Sequence, residues 1–135
     1  MEPSLDLQKS LRNRLVATSA VTALVPATSI LDRNARPELD NAIIIGEGQT
    51  LPDEGLARHR HQAFADLHIW RKEVGLAGSK QIAGAIRDAL NDGPLTLDHF
   101  RIADLRIAST RFLRDPDGIH SHAVMSLEAR LVELA

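Results

Sequence analysis

Two pairs of histidines, each spaced by one residue, are the positions in this sequence best suited to metal chemistry. They are His59 with His61 and His120 with His122. On a β-strand, residues i and i+2 share a face, so each pair could present two imidazoles to a zinc ion. A catalytic zinc site also needs a third protein ligand and an open position. The nearest candidate, His68, falls on the opposite face of its predicted strand from His59 and His61.

The surroundings of the second pair argue against a metal. His120 and His122 follow a predicted turn and lie near Arg114, whose positive charge would repel a metal ion. Exposed histidines at strand ends account best for both pairs, so we expect no bound metal and no cofactor. The alternative is a small metal-binding enzyme or ligand-binding domain that uses the paired histidines.

Other residues that could support catalysis lack the motifs that catalysis needs. Asp66, His68 and Ser109 have the residue types of a catalytic triad, but no serine lies in a nucleophile-elbow motif and nothing suggests an oxyanion hole. Gly46-Glu47-Gly48 is too short for a phosphate-binding loop and lacks the helix and lysine that would follow one. We therefore expect that the protein is not an enzyme.

The composition limits the class of protein further. A chain of 135 residues fits a single domain, 1–135, with one modest core. It contains no Cys, which excludes disulfides, thiol nucleophiles and Cys-type zinc sites. The net charge of −2 provides no general attraction to nucleic acid or anionic membranes. No apolar run approaches the ~20 residues of a membrane span, so we expect no membrane partner and a protein made in a cytoplasm.

Apolar periodicity predicts a helix at the start of the chain, followed by β-structure. The helix opens at Pro3-Ser4, with Ser4 or Asp6 as N-cap. Its buried stripe consists of Leu7, Leu11 and Leu15. The next predicted elements are a helical turn over Ser19–Leu24, a brief strand at Ile30-Leu31, a strand over Ala42–Glu47 and a loop over Gly48–Arg58.

The second half of the chain contains one more helix and three more strands. A strand over His59–Arg71 precedes a helix that Ser79 caps and that Gly93-Pro94 ends. The buried stripe of this helix is Ile82, Ile86 and Leu90. The last two strands are Phe100–Leu113 and Ile119–Glu133. The order α-β-β-β-α-β-β predicts an α+β fold: a mostly antiparallel sheet of four to five strands with two main helices packed on one face.

The last two strands form one long hairpin whose register can be predicted. Asp115-Pro116-Asp117-Gly118 is typical of a type I turn closed by a left-handed Gly, so Pro116-Asp117-Gly118 is the predicted loop and Asp115 faces Ile119. The predicted apolar-face pairs are Ser109–Met125, Ile107–Leu127, Leu105–Ala129 and Ala103–Leu131, and the predicted charged pairs are Arg106–Glu128 and Asp104–Arg130. Such pairs stabilise a sheet. The predicted core contains Leu11, Leu15, Ile82, Ile86, Leu105, Ile107 and Leu127.

Short segments along the whole chain resemble the tail-completion or tail-terminator proteins of long-tailed phages, prophages and gene transfer agents. In chain order they are Leu7-Gln8-Lys9-Ser10-Leu11, Ala23-Leu24-Val25, Leu67-His68-Ile69-Trp70-Arg71, Lys80-Gln81-Ile82-Ala83, Ile86-Arg87-Asp88-Ala89-Leu90 and Phe112-Leu113-Arg114-Asp115-Pro116-Asp117-Gly118.

The resemblance implies a structural virion protein that forms a homohexameric ring on the last ring of tail-tube subunits. Such a ring ends tube polymerisation and presents a surface to the head-completion (stopper) protein, while DNA passes through its bore as cargo. Proteins of this kind have no known catalytic residues, so the resemblance transfers none. It places the protein at the head–tail junction of the virion after assembly in the bacterial cytoplasm.

Three regions are candidates for the subunit or partner interface. Trp70 and His68 share the strand face opposite the predicted core, and large aromatics commonly anchor interfaces. The hairpin tip contributes Arg111, Arg114, Asp117 and His120, which would equally suit a solvated turn. The predicted loop contributes Gly48, Asp53, Glu54 and Arg58 as a contact for the tail tube or the stopper.

Overall fold

The computed structural model describes residues 1–32, 41–53 and 59–134. The elements are α1 (Pro3–Ala17), α2 (Ser19–Thr22), a 3₁₀ turn (Ala27–Ser29), β1 (Ile30–Leu31), β2 (Asn41–Pro52), β3 (Arg60–Lys72), α3 (Ala77–Leu90), β4 (Phe100–Arg114) and β5 (His120–Glu133). This order confirms the predicted succession of helices and strands. No helix among the described residues is long and apolar enough to cross a membrane.

The strands form one five-stranded sheet in the order β1-β2-β3-β5-β4. The two-residue strand β1 runs parallel to β2, and the other neighbouring strands are antiparallel. The sheet is therefore mixed but mostly antiparallel, and the predicted α+β fold is confirmed. β1 and β4 lie at opposite edges of the sheet.

The core lies between one face of the sheet and the two main helices. On β3, Ala63, Ala65, Leu67 and Ile69 alternate inward and are all buried. The predicted stripes of α1 (Leu7, Leu11, Leu15) and α3 (Ile82, Ile86, Leu90) are buried against this face. Leu105 and Ile107 were predicted in the core but are only half-buried, because β4 is an edge strand that α3 does not fully cover.

The first helix has a different cap from the predicted one. Glu2 is the N-cap, and its Oε1 accepts the backbone N–H of Ser4 at 3.1 Å. Asp6, a predicted cap, is instead buried, and its two carboxylate oxygens accept the backbone N–H groups of Asp98 and His99 at 3.1 and 2.8 Å. The Asp6 carboxylate, which the local sequence pattern predicted as a helix cap, thus binds a loop that is distant in sequence.

The second main helix also begins before its predicted cap. α3 starts at Ala77, so Ser79 lies within the first turn. The carboxylate of Glu73 takes the capping role, accepting the N–H groups of Gly78 and Ser79 at 2.9 Å each. Gly93 has φ +83°, the left-handed conformation expected of a glycine just past a helix end.

An arginine of α1 joins the two main helices. The guanidinium of Arg14 donates hydrogen bonds to the carbonyls of Ala89, Asp92, Gly93 and Pro94 at 2.8–3.1 Å. These carbonyls lie at and just beyond the C-terminus of α3, where a cation is stabilised by the helix dipole. α1 and α3 are thus fixed to each other as well as to the sheet.

β2 extends beyond its predicted end at Glu47. An irregularity between Ile45 and Gly48 shifts the register, and β2 then continues beside β3 as far as Pro52. The prediction of a loop was therefore wrong for 48–52. Asp53 follows the strand, and its N–H donates to the carbonyl of Arg60 at 3.1 Å. The other two interface candidates in this segment, Glu54 and Arg58, lie outside the described residues.

The centre of the β4–β5 hairpin has the predicted register, and its two ends do not. Arg106 pairs with Glu128, Asp104 with Arg130, Ile107 with Leu127 and Leu105 with Ala129, as predicted. Ser109 instead faces Ser126, and Ile102 rather than Ala103 faces Leu131. At the tip, Asp115 N–H donates to the carbonyl of His120, so the loop extends through Ile119 and is one residue longer than predicted.

Two extra residues on β4 explain these differences. The register shifts between Ile102 and Asp104 and again between Ile107 and Ser109, so Ala103 and Ala108 are bulged. The bulge at Ala108 offsets the longer loop, which is why the centre of the hairpin keeps its predicted register. Each bulged alanine ends a copy of the tripeptide Arg-Ile-Ala, at 101–103 and at 106–108, so β4 has a period of five residues.

Candidate functional site

The face of the sheet turned away from α1 and α3, called here the open face, carries the polar and aromatic side chains of the strands. On β3 it presents Phe64, Asp66, His68 and Trp70, all half-buried. Trp70 thus lies on the side predicted for it, opposite the core face of Leu67 and Ile69.

Four rings and two carboxylates form a continuous chain of contacts across this face, called here the ring ladder. Its members, in order, are Glu47, His68, His122, Trp70, His120 and Asp117. The Glu47 carboxylate contacts His68 Nε2 at 2.7 Å, and His68 Nδ1 lies 2.8 Å from His122 Nε2. Because that hydrogen bond joins two ring nitrogens, one imidazole must donate and the other accept, so at least one of them is neutral.

Trp70 joins the two halves of the ladder. Its ring stacks on that of His122 with centroids 3.9 Å apart and planes within 6°, while His120 meets it edge-on at 6.5 Å. His120 is buried, and its Nδ1 lies 2.7 Å from a carboxylate oxygen of Asp117. The predicted His120/His122 pair therefore flanks the tryptophan instead of converging on a metal position.

The ladder depends on the absence of a side chain at Gly46. A Cβ atom at this position would lie 2.6 Å from Cδ2 of His68, closer than real Cβ atoms approach another atom. The irregularity that follows Ile45 places Glu47 beside His68. Glu47 was missed as a site residue, although a glycine on each side of it is a recognised signal for a bulge.

The environment of the ladder shifts the protonation of its members. Burial lowers the pKa of the His122 imidazole, and the charge of His68 lowers it further. The pKa of the Glu47 carboxyl is lowered, first by a hydrogen bond from the backbone N–H of Glu47 and second by the hydrogen bond with His68. At the hairpin tip, the N–H of Ile119 and then His120 lower the pKa of Asp117 to about 2. A neutral His122 between ionised carboxylates at the two ends is the favoured state near neutral pH.

The structure does not bring the other residues considered for catalysis or metal binding together in a site, and His59 is exposed just before β3. His61 Nε2 lies 3.0 Å from the carboxylate of Glu133, and its ring packs edge-on against Phe100. Ser109 faces Ser126 of β5, two strands away from Asp66, while both nitrogens of His68 are engaged by Glu47 and His122. Within the described ranges, no three His, Cys, Asp or Glu side chains form a group that could hold a metal ion.

The predicted interface residues that the structure describes lie in three places. Trp70, His68, His120 and Asp117 belong to the ring ladder, and Arg111 lies on the same face, opposite Val124 of β5. Arg114 faces Ser121 and therefore points to the helix side of the sheet. Gly48 and Asp53 lie further along β2, away from the ladder; a Cβ at Gly48 would come within 3.0 Å of Ser4 Oγ, so this glycine packs against α1.

Comparison with known proteins assigns this fold to a family. The family described as tail completion protein gp17 matches residues 9–131 of the chain. The chain belongs to this tail completion family. Membership identifies it as a structural component of a phage-like tail and confirms the resemblance found in the sequence. Among curated proteins, no sequence matches the chain significantly.

Solved structures share this fold. One chain of the virion of a native gene transfer agent particle superposes with a TM-score of 0.83 at 19% identity, covering 98% of this tail completion protein and 99% of that chain. The gp17 protein of bacteriophage SPP1 superposes with a TM-score of 0.61 at 19% identity, covering 98% and 91%.

Proposed function

We propose that this tail completion protein forms a homohexameric ring that caps the head-proximal end of a tail tube. The ring ends polymerisation of the tube and joins the tail to the head-completion protein, and DNA passes through its bore as cargo. The observation that carries this proposal is the family match over residues 9–131. The similarity in fold to a chain of a gene transfer agent virion supports it. The protein acts in the virion after assembly in the bacterial cytoplasm.

The geometry of the histidines supports a structural role over a metal-dependent enzyme or ligand-binding domain. Three of the four paired histidines already contact a carboxylate or an aromatic ring: His61 with Glu133, His120 with Asp117, and His122 with Trp70. Such contacts fix the rings, and a metal would have to displace them. The ladder consequently stiffens the open face.

We further propose that the hairpin-tip end of the open face, with Trp70, His68 and Arg111, contacts a neighbouring subunit or a ring partner. A half-buried tryptophan in a chain with one Trp and no Tyr is the best aromatic anchor available for such a contact. Gly48 and Asp53 lie toward the opposite end of the strands, where a second partner, tube or stopper, would dock.

Deletion of the gene and electron microscopy of the particles test this function. Without the protein, tails should have uncontrolled length or fail to join heads, and a plasmid copy should restore both. In normal particles, six copies should lie at the head-proximal end of each tail. A ring of another symmetry, or a position elsewhere in the particle, would refute the proposal.

A further inference from the structure

The bulges of β4 place a row of arginines on the open face of the sheet. Arg101, Arg106 and Arg111 face Val132, Glu128 and Val124, which are separated by four residues each on β5 and thus share one face. Without the bulges at Ala103 and Ala108, Arg106 would point to the helix side. Successive arginines of this β4 arginine row lie about 13 Å apart along the strand.

Most of this row is available for a partner. All three arginines are exposed, and among them only Arg106 forms an ion pair within the described part of the chain, through its Nε to Glu128 at 2.8 Å. Asp104 is the one acidic residue of β4 on the same face, opposite Arg130. An edge strand with three arginines and one aspartate on its open face stands out in a chain of net charge −2.

The helix side of the same edge is also cationic, and it is partly apolar. A groove of about 540 Å³ runs between α3 and β4, and the half-buried Leu105, Ile107 and Phe112 line it. Lys80 and Arg87 of α3 border this groove and are exposed; no carboxylate in the described part of the chain pairs with either. The β4 edge therefore offers positive charge and uncovered apolar surface together.

Three exposed acids lie near the opposite edge of the sheet. β1 pairs with Ile43 and Ile44 of β2. The acids are Glu2, which contacts Thr50 of β2, Glu47 of β2 itself, and Asp32 just after β1, where Lys9 and Arg12 border it. Glu2 accepts hydrogen bonds from Thr50 and from the N–H of Ser4, which lower the pKa of its carboxyl. The three acids are called here the acidic edge, and the lowered pKa values of Glu2 and Glu47 keep these two carboxylates ionised at neutral pH.

Ring closure determines how these two edges meet. A closed ring uses a head-to-tail interface, so one edge of each subunit must complement a different edge of the next. Bulges interrupt an edge strand and prevent another strand from pairing with its backbone. β4 is therefore suited to contact through side chains, and long-range charge complementarity gives such a contact its orientation.

We propose that the β4 arginine row of one copy docks on the acidic edge of the adjacent copy, with the α3–β4 groove covered at the same interface. This inference rests on the proposed ring and specifies its subunit contact. The partner is a second copy of this chain; nucleic acid contacting the arginines is the competing occupant that the experiment must exclude.

Cysteine cross-linking tests the contact without background, because the chain contains no Cys. Ser109 lies in the arginine row and Gln49 lies on the open face of β2, and both are exposed. Particles carrying Ser109→Cys with Gln49→Cys, treated with a short bis-maleimide, should give covalent species from dimer to hexamer. Each single variant can give dimers at most. The control pair, Ser109→Cys with Ser19→Cys at the exposed start of α2, should not give species beyond dimer.

Charge reversal provides a second, independent measurement. Arg101→Glu with Arg111→Glu, placed in the double-cysteine background, should reduce species beyond dimer at least tenfold. Ser19→Glu with Ala20→Glu adds two negative charges at exposed positions of α2, in the helix layer and outside both edges, and should leave cross-linking unchanged.

The outcomes separate this contact from the ring itself. Sixfold rings that give no cross-links beyond dimer would overturn this contact and leave the proposed function intact. If rings and cross-links persist after the arginine reversal but the particles no longer retain DNA, the arginines contact nucleic acid. That result would overturn the proposed subunit contact. Absence of the protein from the tail end would overturn both proposals.

Discussion

The indole of Trp70 lies on the imidazole of His122, with ring centroids 3.9 Å apart and planes within 6° of parallel. The Nε2 atom of His122 lies 2.8 Å from Nδ1 of His68, within hydrogen-bond distance. The imidazole of His122 is thus held between an apolar ring and a second imidazole. Both neighbours disfavour its protonation, because one removes water and the other contributes like charge.

The first prediction concerns pH. Because the native pKa of His122 is below the ordinary value of about 6.5, the unfolded chain binds more protons than the folded one in mildly acidic solution. The contribution of His122 to stability is therefore complete above about pH 6.5 and is lost as the pH falls through the lowered native pKa. Urea unfolding should show a smaller loss of stability between pH 7.5 and 5.5 for His122→Phe than for the native chain. His59→Phe, at an exposed position, is the control; the same loss in all three proteins would contradict the prediction.

The second prediction compares two glycines. Gly46→Ala should destabilise the protein by about 1–3 kcal/mol, because the new methyl group displaces His68 from its contact with Glu47. Gly84→Ala adds the same methyl group to α3, where nothing lies within 4 Å, and should stabilise the protein by about 0.5–1 kcal/mol. Chemical denaturation measures both changes, and equal effects would show that the approach at Gly46 is not tight.

The third prediction separates assembly from folding. Trp70→Ala should reduce incorporation into particles by at least tenfold, while the monomer loses about 1–2 kcal/mol from the broken stack. Trp70→Phe retains a ring on His122 and should recover most of the folding stability. Quantitative protein staining of purified particles and urea unfolding of the free protein give the two readouts. A large loss of folding stability with normal incorporation into particles would instead show that Trp70 acts as a core residue.

The fourth prediction distinguishes the core from the sheet edge. Ile86 is completely buried, so Ile86→Ala should cost about 2–5 kcal/mol of unfolding free energy. Ile107 is half-buried beside the groove, so Ile107→Ala should cost less than half as much as Ile86→Ala. Thermal and urea unfolding measure both, and a reversed order would place the core on the β4 side.

The sequence was a good guide wherever local pattern and tertiary packing agree. The stripes of Leu7, Leu11 and Leu15 and of Ile82 and Ile86 follow helical spacing and are buried as predicted. The charged pair Arg106–Glu128 follows from strand alternation and has the expected partners. These features depend on residues close in sequence or on one simple register.

Features that depend on distant segments were not predictable in the same way. Asp6 looked like a helix cap, but the amides of Asp98 and His99 bind it. β2 extends beyond Glu47 because β3 pairs with it there. The bulges of β4 arise because its register against β5 must accommodate a turn longer than predicted. The ring ladder joins three strands and a turn, so spacing along the chain could not bring Glu47 to His68. The five-residue period of Arg-Ile-Ala in β4 was the one local signal that could have revealed the bulges.

The stack of Trp70 on His122 has a practical consequence. A protonated imidazole in contact with an indole quenches its fluorescence, and Trp70 is the chain's single tryptophan. Emission from the unmodified protein should therefore dim as His122 gains its proton, and brighten or shift in colour when another molecule covers the indole. The intrinsic fluorescence of Trp70 can therefore report both the protonation of His122 and assembly at this face without an attached dye.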